Sequence, residues 1–187
     1  VIAYSSDDII IDRDGLVTDV DEERISKRDQ WHKRNRAWIH GGTAAYRINF
    51  LKDLPMPDRS TSFEDMIFID LMNIHGYRSI RSKEKLVKYR YHEGNISLRV
   101  ENKKHVRDRE RKAILRWRNA RDAKLYVLKY IKRNKIENQH TAIIKDEYEY
   151  FKRIAVWENL GMKDKILLLK YGYKIKRVKS VFFRIFG

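Results

Sequence analysis

The chain has 187 residues, 42% of them hydrophobic and 36% charged, with six histidines and no cysteine. That is too apolar for a disordered chain, and long enough for one domain with a real core or for a small domain with a helical appendage. Disulfides and thiolate metal sites are excluded, the lack of cysteine fits a reducing cytoplasm, and no apolar run approaches the ~18 residues of a membrane span. No early segment resembles a signal peptide. The net charge of +16 is unevenly placed: residues 1–98 hold 16 Lys+Arg against 16 Asp+Glu, so the whole excess lies behind them. This shift divides the chain into a balanced region, 1–100, and a basic extension, 101–187.

In the first region Val1–Tyr4 and Ile9–Ile11 are β-prone runs around Ser5-Ser6-Asp7-Asp8, and Asp12-Arg13-Asp14-Gly15 supplies turn chemistry. Residues 19–35 are polar without a period and read as a surface loop or short helix. Ala37–Arg47 reads as strand, glycine loop, strand, and Ile48–Leu54 as a short helix ended by Pro55 and Pro57. Ser62 is placed to cap a helix, with Asp65 reaching back to it. The helix sets Phe63, Ile67, Leu71 and Ile74 on one face and stops at Gly76. Tyr77–Ile80 and Lys85–Tyr91 then read as two strands. Mixed short strands and helices predict an α/β layer structure.

Three local features could carry chemistry, and each has an ordinary reading beside it. Glu64-Asp65 offsets the dipole of the helix it opens, or else Asp65 is a general base that takes a hydroxyl proton as the oxygen attacks. Gly41-Gly42 is a turn, or a place where a sugar or phosphate comes close to the backbone. His92 is a surface histidine, or a ligand to a divalent cation on a diphosphate. Asn95-Ile96-Ser97 matches an N-glycosylation acceptor but has no secretory signal to support it.

The order H-G-G-T, F-E-D-M, Y-R-Y-H, G-N-I-S across residues 1–98 resembles the second half of the family 2 glycosyltransferases of the GT-A fold. The opening V-I-A-Y-S-S-D-D-I-I-I-D-R-D-G is similar to the segment those enzymes carry soon after their metal-binding aspartates. The resemblance implies a partial GT-A-like mixed sheet with helices, and an inverting transfer from a nucleotide-sugar donor to a glycan or lipid-linked acceptor. It implies Asp65 as catalytic base with Glu64 beside it. Gly41, Gly42 and Arg90 would bind substrate, and His92 would serve a Mn or Mg ion on the diphosphate. The family's nucleotide-binding half, ending in its Asp-x-Asp motif, would lie before Val1. Asp12-Arg13-Asp14 has that literal pattern, but Gly15 favours a hairpin turn. The expectation is therefore a fragment with little or no activity by itself.

The basic extension reads as mainly α-helical. Lys103–Lys135 lacks proline and glycine and places Val106, Ala113, Trp117, Ala120, Leu128 and Ile131 near one face, with the charges solvated. Residues 140–160 make another helix, with Ile144, Tyr148, Phe151 and Ala155 on a face and Gly161 as its stop. Lys163–Tyr171 is a short apolar-basic segment. Lys174–Phe186 reads as an amphipathic tail with Ile175, Val178, Phe182 and Ile185 on one side. Residues 163–187 are thus expected to touch an anionic membrane surface, making the protein peripheral on the inner face of the cytoplasmic membrane. Two alternatives stand beside the transferase. One is a basic helical nucleic-acid-binding protein using Trp117, Tyr126, Tyr130 and Tyr148, although no recognised module supports nucleic acid as the partner. The other is a noncatalytic remnant of a glycosyltransferase.

Overall fold

The computed structural model describes residues 1–17, 37–52, 54, 64–90, 106–177 and 181. Expectations for residues 19–35, Pro55, Pro57, Ser62, Phe63, Tyr91 and Asn95–Ser97 lie outside the described residues. The chain divides into two compact units, Val1–Met56 with Leu71–Glu101, and Pro57–Asp70 with Asn102–Gly187. Residues 57–70, which the charge boundary left in the first region, belong to the second unit. The described residues form a mixed α/β structure of three strands and five helices.

In chain order, the first elements are strand β1 (Ala3–Ile11), a 3-10 turn (Gly41–Thr43), strand β2 (Ala44–Tyr46) and helix α1 (Ile48–Lys52). Helix α2 (Glu64–Ile74) and strand β3 (Ser79–Arg90) follow. The sheet order is β2-β1-β3, with β2 antiparallel and β3 parallel to the central strand. β1 is one continuous strand, not two runs around a polar gap, because Ser5 to Asp8 stay in the ladder and are buried. β3 is likewise single. Its twelve residues lie against nine of β1, and the register slips between Ser5 and Asp7 and again between Asp7 and Asp8. Such bulges bend a strand and re-aim its side chains.

Local chemistry explains the ends of these elements. Asp12 Oδ1 accepts the amides of Asp14 at 2.9 Å and Leu16 at 2.8 Å, Gly15 takes φ 89°, and Ile11 bridges Val17. The Asp-x-Asp triplet is therefore the turn that Gly15 announced, with its first carboxylate occupied by backbone amides. α2 ends where Gly76 turns left-handed at φ 69°, its amide reaching Asn73 O and the Tyr77 amide reaching Met72 O at 2.8 Å. That pair of bonds satisfies carbonyls the helix would otherwise leave open. Ile67, Phe68, Leu71, Met72 and Ile74 are all buried, more than one stripe of the helix. Phe50 of α1 stacks on Tyr46 at 6.3 Å and meets the edge of Tyr77 at 5.7 Å.

The second unit is built on helices α3 (Val106–Arg133), α4 (Gln139–Ile154) and α5 (Met162–Lys174). On α3 the buried stripe is Ala120, Ala123, Val127 and Ile131, and it includes a lysine, Lys124. Asn138 caps α4 by accepting the amides of His140 at 3.0 Å and Thr141 at 3.2 Å. Ala120, Tyr150, Phe151, Ile154, Leu168 and Val181 form the core, with Met66 and Trp117 packed against it.

Two expectations change here. Gly161 is the residue before α5, not the stop of the preceding helix, and Lys163–Tyr171 lies inside α5. The tail is not one helix continuous from Lys174 either: Lys176 turns left-handed at φ 58° and the Arg177 amide closes on Gly172 O at 2.7 Å, and beyond them the one described residue, Val181, is helical again. Ile175, assigned to a lipid-facing side, packs against the core. Val178, Phe182 and Ile185 lie outside the described residues. Among the described residues no helix is long and apolar enough to cross a membrane.

Candidate functional site

The first unit gathers polar side chains where a sheet normally buries apolar ones. Ser5, Ser6, Asp7 and Asp8 are each at most 3% exposed on the central strand. A carboxylate so placed survives only if its charge is matched. Arg81 Nη2 meets both oxygens of Asp7, at 2.7 and 2.8 Å, from the bulged part of β3. Ser6 is tied to the glycine turn, since Thr43 Oγ1 donates to Ser6 O at 2.7 Å and accepts the Ser6 amide at 3.2 Å. The Ser5 hydroxyl is buried with no hydrogen-bond partner among the described residues.

The glycine pair is a 3-10 turn, not a loop between two strands, because Ala37–His40 form no ladder. Side chains replace the missing ladder. Asn73 binds both the amide of Ala37 at 3.1 Å and its carbonyl at 2.9 Å. Ser79 Oγ does the same for Trp38, at 2.8 Å each way. The Thr43 amide then closes the turn on His40 O at 2.9 Å. Gly42 is exposed at the top of this turn. A Cβ built there would meet His40 Cε1 at 3.5 Å and Tyr89 Cδ2 at 3.8 Å, which is ordinary contact, and its φ is not positive. The fold itself does not require glycine at this position.

The other predicted residues are distributed as follows. Asp65 is half-buried in the second unit, and its Oδ1 accepts the Met66 amide at 2.8 Å, so one oxygen serves the first turn of its own helix. The backbone of Glu64 opens α2, but its side chain lies outside the described residues. Arg90 Nη1 donates to the carbonyls of Arg13 and Asp12, clasping the turn after β1. His92 lies outside the described residues. Among the described residues no group of three or more His, Asp or Glu side chains is placed to hold a metal ion. His75, on the surface beside Tyr77, has its pKa lowered by desolvation.

Sequence reasoning missed the buried run Ser5–Asp8 and its partner Arg81. A signal was present, because four polar residues interrupt two β-prone runs without the glycine or proline a turn would use. It also missed a buried triad in the second unit. Lys124, 4% exposed, bonds both oxygens of Asp70 at 2.9 and 2.7 Å and pairs with Glu147. Burial pushes the Asp70 carboxyl up to about 6, with Lys124 opposing the rise and Glu147 adding to it. Desolvation works against the Lys124 ammonium, yet the two carboxylates outweigh it and its pKa is raised.

Comparison with protein-family models, with curated proteins and with solved structures finds no match.

Proposed function

We propose that the chain is the acceptor-side part of an inverting glycosyltransferase of the family 2, GT-A type, acting on a nucleotide-sugar donor with a glycan or lipid-linked acceptor. The observation that carries the reading is Gly42. It is exposed between His40 and Tyr89, in a turn fastened to a buried polar strand, at a position where packing and backbone angles both admit a side chain. A residue that the fold leaves open is free to be set by a ligand, and a missing Cβ lets a sugar or phosphate lie against the backbone. The same turn belongs to the residue order that resembles the family. Asp65 is the candidate base, deprotonating the acceptor hydroxyl as it attacks the anomeric carbon. His92 is the candidate ligand of a divalent cation on the diphosphate, and the membrane is the expected location of a lipid-linked acceptor.

The test is nucleotide release and product formation from a panel of nucleotide sugars, using the protein that carries this chain at its natural length. Asp65→Asn keeps an oxygen for the Met66 amide but cannot take a proton, so kcat falls by roughly 10²–10⁴ with KM little changed. Gly42→Val lowers transfer without changing Tm. Transfer that ignores both substitutions, or no turnover with any donor, overturns the reading.

A further inference from the structure

A cavity of about 980 Å³ in the second unit is lined by residues of α3, α4 and α5 and of the α3–α4 turn. It falls at the upper end of the range that takes one small ligand. Leu128, Ile131 and Ile136 supply aliphatic lining, and Lys132, Lys135 and Lys145 supply ammonium groups. None of these three lysines forms an ion pair with another described residue. Of the two acids beside them, Glu149 is paired with Arg153, which leaves Glu137 against three cations. The Tyr171 ring, also at the cavity, already carries Arg153 at 5.2 Å and Lys174 at 5.7 Å.

The backbone sharpens this. α3 closes with the Lys135 amide on Lys132 O and the Ile136 amide on Ile131 O at 3.1 Å, which brings Ile136 back to the side of Ile131. Lys135 sits in that closure at φ 53°, the left-handed position that glycine fills without strain. A strained residue whose side chain lines a cavity points to a use for that side chain. Three cations over an aliphatic lining match a hydrocarbon chain with an anionic head, while the Tyr148 and Tyr171 rings in the same lining make a nucleoside phosphate the ligand to test against it.

We propose that this cavity takes a single phosphate-headed lipid, with its chain on Leu128, Ile131 and Ile136 and its phosphate among Lys132, Lys135 and Lys145. The site stands apart from the transferase reading, and either can fail without the other.

The purified chain is titrated by calorimetry with dodecyl phosphate below its micellar concentration. The expected result is saturable one-to-one binding, with octyl phosphate weaker by up to about two orders of magnitude, since each buried methylene contributes roughly fourfold. Lys132→Gln with Lys145→Gln weakens dodecyl phosphate at least tenfold. Lys135→Gly weakens it without lowering Tm, because the backbone strain is relieved as the cation is lost. Lys163→Gln with Lys170→Gln, elsewhere on the basic surface, leaves it unchanged. Equal losses in the control pair, equally tight binding of inorganic phosphate or of a nucleoside monophosphate, or no saturable binding would each overturn the proposal.

Discussion

In the sheet unit the buried Asp7 meets a guanidinium through both oxygens, a carboxylate with a cation held against it. In the helical unit Lys124 faces both Asp70 and Glu147, and one negative charge is left over. That surplus has an outlet: Asp70, with its carboxyl pushed up to about 6, takes a proton under mild acid. One unit thus depends on a partner cation, and the other responds to pH.

The largest effect should come from removing the matched cation. Arg81→Met leaves Asp7, 2% exposed, without its guanidinium, and a loss of about 3–5 kcal/mol in denaturant unfolding is expected. A loss under about 1 kcal/mol would mean that water reaches Asp7 and that the contrast is false. Lys124→Met should cost less, roughly 1–3 kcal/mol at pH 7, and the cost should shrink toward pH 5 as Asp70 protonates. The sign follows from proton uptake. Between about 4 and 6 the folded chain holds a proton on Asp70 that the unfolded chain has released, so this contribution falls away as pH rises through about 6. Asp70→Asn should remove that fall, and a wild-type stability curve that superimposes on the variant's would refute the shift. The smallest effect is local. Gly76→Ala places a side chain at φ 69° and should cost about 1 kcal/mol in thermal unfolding.

How much of this was legible follows from the range of each interaction. The Asp12–Gly15 turn, the Gly76 stop and the long helix 106–133 depend on neighbours within a turn or two, and sequence pattern shows them. The buried strand Ser5–Asp8 depends on Arg81 and Thr43, remote in the chain, and a period-two pattern can only read such a run as a break. The glycine pair was recognisable as a turn, but not the fact that Asn73 and Ser79 hold the segment before it. In the tail a hydrophobic face does not say what it faces: Ile175 packs on protein, and a left-handed lysine at 176 interrupts the segment that the pattern drew as one helix. Lys124 went unnoticed because one lysine on a basic helix carries no distinguishing mark until Asp70 and Glu147 come up to it.

The parallel pairing of β1 with β3 also bears on synthesis. Asp7 leaves the ribosome 74 residues ahead of Arg81, and β1 ahead of both neighbours that will cover its edges. Throughout that interval the nascent strand exposes two adjacent carboxylates among its isoleucines. Those charges disfavour stacking with another newly made chain, so the acids that require a partner in the finished sheet act as gatekeepers before it exists.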